Sequence, residues 1–312
     1  MANSLDLSEL TSTLGAYCRE NKAEIYTRVL QKVSKDHFTP VAGSDQIPLP
    51  RLSTASILKP ANPSAAFSGT AGALKIGARI LKIRRTSFDV QIIPSLIWPT
   101  WLGMMKARTS DNPFDLPFEA LLMERLTSQA GTDMELSGIW KGVYNAAGTT
   151  PADTIDGILT IVAAEIITGE IPAGNVYTSG GAITATNAVA QLEGVKGKVS
   201  DVYLGQPLKM FVSRAVKDFY EQDYRTRYGV LPYNTSFEKT MLDGTNIELV
   251  AAAGMAGSQR VIITTQDNIC FGDHTEGNID LQKFDRYLKV LGDFGYGIEI
   301  CDGAVLWCND RT

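Results

Sequence analysis

Histidine is almost absent from this sequence: His37 and His274 are the two in a chain of 312 residues. Imidazole-based acid–base catalysis has few candidate positions, leaving Asp and Glu to serve otherwise. Cysteine is scarce too. Cys18, Cys270, Cys301 and Cys308 are too few for a disulfide framework, and a reducing compartment is expected to keep all four as thiols. No apolar run reaches the roughly 18 residues that span a bilayer, and MANSLDLSEL has neither the basic start nor the apolar stretch of a signal peptide. The protein is therefore expected to stay in the compartment where it is made, with no membrane partner. Catalytic motifs are missing as well: there is no G-x-x-x-x-G-K-[ST], no G-x-G-x-x-G after a strand, no H-E-x-x-H and no G-x-S-x-G. The glycines at 69–77 and 254–257 lack the lysine and helix start of a phosphate cradle and read as turns. These absences predict a protein that is not an enzyme and carries no cofactor or metal.

Apolar material is plentiful. Hydrophobic residues make up 44% of the chain, enough for one large or two medium domains with a substantial core. The net charge of −5 argues against a protein that coats nucleic acid through overall positive charge. Its distribution is uneven. Over 71–110, Lys75, Arg79, Lys82, Arg84, Arg85, Lys106 and Arg108 face Asp89 alone, a net of +6; over 266–312, nine acids face four bases, a net of −5. Such blocks are either two solvated faces or complementary surfaces that orient neighbouring copies head to tail.

The basic block lies in an alternating ribbon, 74–101. Leu74, Ile76, Ala78 and Ile80 share one parity, Leu81 and Ile83 take the other, and the switch predicts a bulge near Ile80 and Leu81. Phe88, Val90 and Ile92 are expected to return as a second strand after a turn at 85–87. Before the ribbon, 38–67 holds Pro40, Pro48, Pro50, Pro60 and Pro63, which blocks helix and favours extended chain. A loop so long is uncommon in a compact domain unless it orders on another molecule. Loop and ribbon together read as an excursion onto a neighbouring subunit.

Elsewhere the pattern is mixed. Residues 5–32 carry Leu7, Leu10, Leu14, Ile25 and Val29 at helical spacings, an amphipathic arm. Pro117 opens a helix with Leu121, Leu122 and Leu126 on its stripe, expected to end at Gly131. Thr150, Pro151 and Asp153 resemble a capping box ahead of Ile155, Ile158, Leu159, Val162, Ala163 and Ile166, with Gly169 as the stop. A buried strand is expected at 209–212, then a helix from the N-cap Ser213 through Tyr224. Its Lys217, Arg225 and Arg227 are offset by Asp218, Glu221 and Asp223, which suits a packed helix better than a nucleic-acid surface. Short strands follow at 247–250, 260–265, 269–271, 296–300 and 304–307, among many glycines. No βαβ alternation or fixed-period repeat is present.

One cluster has the residue types for chemistry. Cys270, Asp273 and His274, joined by Cys301 or Cys308, offer zinc ligands or a thiol with a base. The spacing is against zinc: paired thiolates usually lie about two to four residues apart, whereas Cys301 and Cys308 differ in strand parity and lie further apart. Free buried thiols beside a turn histidine are the simpler expectation.

ARILKIRRTSFDVQIIPSLIWPTWLG (78–103), MFVSRAVKDFYEQDYRTRYG (210–229) and RVIITTQDNICFGDHTEGNIDLQKFDRYLKVLGDFGYGIEI (260–300) carry a resemblance to the tailed-bacteriophage major capsid proteins with the Hong Kong 97-type fold. The first is similar to the return of the extended loop, the second to the axial-domain strand and helix, the third to the family's late region. The resemblance implies an α+β fold in which 1–37 forms the N-terminal helical arm and 38–73 the extended loop. It implies a peripheral domain with the spine helix over 74–173, an axial domain over 174–265, and strands returning to the peripheral domain over 266–312. It further implies a homo-oligomer of hexamers and pentamers in an icosahedral virion capsid around double-stranded DNA. Such a capsid would be assembled in the host cytoplasm with portal and scaffold proteins as partners. The family often carries a scaffolding segment removed by a protease; this sequence begins at Met1 with the arm, implying a separate scaffold or none. A loop lysine crosslinks to a neighbour's asparagine in some relatives, chemistry that Lys59 and Lys75 do not by themselves carry over. Expected inter-subunit contacts are Lys75, Arg79, Lys82, Arg84 and Arg85 against Asp280 and Asp285. The alternatives are an encapsulin-type cargo shell of the same fold and a hydrolase built on Cys270 and His274.

Overall fold

The computed structural model describes residues 35–43, 45–54, 74–93, 118–228, 241–285 and 287–311, with isolated positions at 16, 20 and 58. The expected arm helix, Cys18 and the segment 94–117 lie outside the described residues. Along the chain, β1 (Thr39–Ala42), β2 (Gln46–Thr54), β3 (Leu74–Lys82) and β4 (Arg84–Ile92) come first. Next, α1 (Phe118–Asp133) continues directly as a π-helical segment, Met134–Ile139, and a 3-10 turn at Pro151–Asp153 precedes α2 (Ile158–Thr168). Then come β5 (Val176–Tyr177), α3 (Ala188–Lys196), the short α4 (Asp201–Leu204), β6 (Leu208–Val212) and α5 (Arg214–Tyr228). The described chain closes with β7 (Ile247–Ala251), β8 (Ile262–Thr265), the hairpin of β9 (Ile269–Phe284) and β10 (Tyr287–Ile300), and β11 (Leu306–Asn309).

Three sheets result. Strand order is β1-β9-β10-β4 in one, β5-β11-β8-β6-β7 in the second, and β2-β3 in the third. In the second sheet β6 lies between β8 and β7, and all five of its residues, LKMFV, are buried. Apart from Lys209, whose ammonium lies 3.1 Å from the His37 ring Nδ1, this is the apolar run that a strand covered on both faces requires. The largest core joins Ile158 and Val162 of α2 to Trp140, Phe211, Tyr296, Ile298 and Ile300. A second core gathers Leu192 and Val195 of α3, Val216 and Tyr220 of α5, and Trp307 around the other face of the second sheet. Each large side chain so buried contributes on the order of 1.5–3 kcal/mol.

Several local expectations hold and several shift. Gly169 ends α2 in a left-handed conformation, φ 77°, open to glycine at little cost. The capping residues, however, serve the 3-10 turn: Asp153 accepts from the Thr150 amide at 2.9 Å, and α2 starts only after Gly157. Gly131 does not end α1, which runs to Asp133 and on into the π-helical segment. The glycine-rich stretch after 174 contains α3, whose Val189 N–H donates at 2.9 Å to Asp223 on α5, a cap supplied from another helix.

The ribbon is paired differently from expectation. β3 pairs antiparallel with β2 from Gln46↔Lys82 to Thr54↔Leu74 without a register shift, so the bulge at Ile80 and Leu81 is not formed. β4 pairs with β10, from Tyr296↔Arg84 to Leu288↔Ile92. The parity switch that suggested a bulge marks where the strand enters its own body: Leu81 is fully buried and Ile80 is 46% exposed. The late strands are also far longer than their apolar runs, because glycines expected to break them instead permit close crossing. A side chain at Gly297 would run into the Lys82 carbonyl, and one at Gly292 into the Phe88 ring.

The four cysteines are not all thiols. Cys270 on β9 faces Glu299 on β10, which puts Cys301, two residues on, within reach; the two form a disulfide with Cα atoms 6.6 Å apart. Cys308 on β11 is buried and free. Desolvation pushes its thiol up to about 11, so it stays neutral.

Candidate assembly surface

The β2–β3 ribbon has two unlike faces. Toward the body, Leu49 and Leu81 pack on Cys270, with Ile47, Val41 and Cys301 beside them. Away from it, Pro48, Pro50, Ala78 and Ile80 are exposed, with Pro48 opposite Ile80 and Pro50 opposite Ala78. The prolines offer no N–H to a ladder, which suits β2 to the edge of its sheet. An exposed run of apolar residues held off the chain's own core is the kind of surface that marks interaction sites.

Two arginines hold the ribbon down. Arg79 pairs with Glu165 of α2, donates to the Ile300 carbonyl at 2.8 Å, and lies 3.5 Å from Glu170 and 3.7 Å from Glu299. Arg51 contacts Glu170 at 3.0 Å and Asp302 at 2.7 Å. Arg79 and Glu165 are the most enclosed pair, with side chains 14% and 10% exposed. The root of the ribbon is thus ordered by its own chain, contrary to the expectation that the whole excursion gains order only from neighbours.

Two guanidinium groups serve four carboxylates, and desolvation decides the surplus. Burial pushes Glu299 up to about 7, against the Ile300 amide and Arg79, which favour its charged form. Burial raises Glu165 as well. For a carboxylate raised in the folded state, the native protein holds a proton that the unfolded chain has released between about pH 4.5 and 7. Glu299 therefore makes stability fall as pH rises through that window. Glu299→Gln is expected to flatten this part of the profile, as measured by denaturant unfolding at pH 5 and pH 8. An unchanged slope would exclude Glu299 as its source.

The residues expected to touch neighbours are separated. Arg79 is engaged within its own chain, and the Arg84 guanidinium sits 3.9 Å over the Tyr144 ring. Lys82 and Arg85 are exposed; the Lys75 side chain lies outside the described residues. Asp280 and Asp285 are exposed near the far end of the β9–β10 hairpin, Asp285 with φ 50°. Arg84 pairs with Tyr296 and Ile92 with Leu288, so the strands hold Arg84 and the tip that carries Asp285 roughly 25 Å apart, while Asp280, opposite Leu291, stands about 16 Å along. They do not meet within one chain.

Sequence patterning missed the carboxylates of the clamp. Ile158, Val162 and Glu165 are the buried positions of α2, at i, i+4 and i+7, so a charge on the apolar face was the available signal. Arg51 carried none, sitting between proline-flanked positions of an expected loop. Cys270 and His274 do not form a thiol–base site, since the Cys270 sulfur is bonded to Cys301. Among the described residues no group of three or more His, Cys, Asp or Glu side chains is placed to hold a metal ion. No helix among them is long and apolar enough to cross a membrane.

No family model matches the sequence, and no curated protein is similar to it. Solved structures are. A chain of the satellite phage P4 procapsid, which includes the size determination (Sid) protein, superposes with a TM-score of 0.61 at 13% identity, covering 98% of each chain. The capsid of the native GTA particle gives 0.62 at 13% identity over 89% of this chain and 94% of that one. The capsid of the Myoviridae phage XM1 gives 0.53 at 9% identity over 88% and 89%. The chain has the Hong Kong 97-type capsid fold. At such low identity what is shared is the fold, matched over 88–98% of this chain.

Proposed function

We propose that this chain is a major capsid protein that self-assembles into hexamers and pentamers of an icosahedral shell enclosing a double-stranded DNA genome. One observation carries it: the outward apolar face of β2–β3, on a chain whose capsid fold spans nearly its full length. In this reading 1–37 is the arm, 38–73 the extended loop, 74–173 the peripheral domain with α2 among its helices, 174–265 the axial domain, and 266–312 the returning strands. Exposed Lys82 and Arg85 are candidate contacts for exposed Asp280 and Asp285 of a neighbour, since the hairpin keeps them apart within one copy. Portal and scaffold proteins would be the partners of assembly, and the virion capsid its location. Complementary potentials at such contacts fix orientation more than they add affinity.

The test is electron microscopy of the purified protein across salt, pH and concentration, with sedimentation alongside. Closed shells or capsomers are expected. Small monodisperse particles under every assembly condition would overturn the proposal.

A further inference from the structure

We propose that Cys270 and Cys301 form a redox-operated lock on the seat of the β2–β3 ribbon. The disulfide lies under the ribbon root, where Leu49 and Leu81 pack on Cys270 and where Cys301 borders the same small core. It also lies inside the arginine clamp. Cys270 faces Glu299 across the β9–β10 ladder. Ile300, whose carbonyl accepts from Arg79, and Asp302, which pairs with Arg51, flank Cys301 on either side. The Cys301 amide donates to the Asn268 carbonyl at 2.8 Å, and the Asp302 amide to the Asn268 side chain at 2.7 Å, tying the Cys301 end of the staple to the turn that leads into β9 and Cys270. Closing the sulfur bridge thus restrains at once the carboxylates, the carbonyl and the apolar floor that position the ribbon.

The chemistry is thiol–disulfide exchange with a low-molecular-weight disulfide as oxidant. Cys301 is partly exposed and Cys270 is 4% exposed, so Cys301 is the thiol reached first. Its thiolate attacks one sulfur of the reagent, the reagent S–S bond breaks, and one small thiolate leaves. The Cys270 thiolate then attacks the Cys301 sulfur of the mixed disulfide, the protein S–S bond forms, and the second small thiolate leaves. The two protons lost by the cysteines go to the two leaving thiolates. Two protein thiols are oxidised and one small disulfide is reduced.

The experiment uses the full-length unassembled protein, so its result is independent of shell formation. One sample is equilibrated with oxidised glutathione and another with dithiothreitol; both are compared with Cys270→Ser/Cys301→Ser by peptide mapping and amide hydrogen exchange. A peptide crosslinked between 270 and 301 is expected only in the oxidised sample. Exchange at 47–51 and 77–81 should be about tenfold slower there than in the reduced protein and the double variant, because closing the bridge suppresses local opening of the seat. Reduced wild type reads the open state even where the double variant folds poorly. Failure to form the crosslinked peptide, or a crosslink that leaves exchange at the ribbon root unchanged, overturns the lock.

Discussion

On the proposed capsid role, Ile80→Asp is expected to abolish shell formation while leaving the chain folded. Ile80 stands on the outward face of β3, opposite Pro48 and 46% exposed, so a charge there meets water in the single chain. A surface change of this kind usually alters stability by no more than about 0.5 kcal/mol. Against a neighbour the same carboxylate would be buried without a partner, at a cost of order several kcal/mol per contact. A shell repeats that cost at every subunit, so a small local term becomes an all-or-none effect on assembly. Electron microscopy and sedimentation should show capsomers or monomers in place of shells, with a thermal unfolding midpoint close to wild type. Normal shells from the variant would remove the ribbon from the list of assembly contacts.

Arg79→Ala should produce the largest loss of stability of any single change at the ribbon root. The substitution leaves Glu165 and Glu299 enclosed with no guanidinium beside them and deprives the Ile300 carbonyl of its donor. Removing one partner of a buried ion pair typically costs about 3–5 kcal/mol, because the remaining charge stays desolvated. Denaturant unfolding near pH 8 is the measurement. The loss should shrink toward pH 5, where Glu299, already raised to about 7 by burial, takes up a proton and stops being a buried charge. Removing both charges in Arg79→Met/Glu165→Leu should recover much of the loss, as apolar replacements of buried pairs often do. An Arg79→Ala protein as stable as wild type at pH 8 would show that the clamp is solvated and contributes little.

Much of the local structure was legible in the chain. Ile158, Val162 and Ile166 at helical spacing, with Gly169 behind them, announce α2 and its end, since period and stop are properties of neighbouring residues. The buried run at 209–212 and the Ser213-led helix are equally local: Ser213 accepts from the Val216 amide at 3.4 Å, close to the expected cap. The clamp was not legible, because its members are far apart. Arg51 and Glu170 are separated by 119 positions, and Arg79 and Ile300 by 221. No pattern in either segment specifies the other.

By itself the sequence determined a mixed α and β protein with ample core, a proline-rich extended segment, an alternating basic strand, and no recognised catalytic motif. Tertiary structure alone decided the partners. A period of two states which side chains share a face of a strand but not which strand lies alongside, so β3 was free to pair with β2 or with β4 until the body fixed both. For the same reason Arg79 is held among carboxylates of its own chain, Cys270 meets Cys301, and the glycines of β10 extend a strand where they were read as ending one. Each of these depends on a contact between distant segments, and such contacts are settled only when packing closes around them.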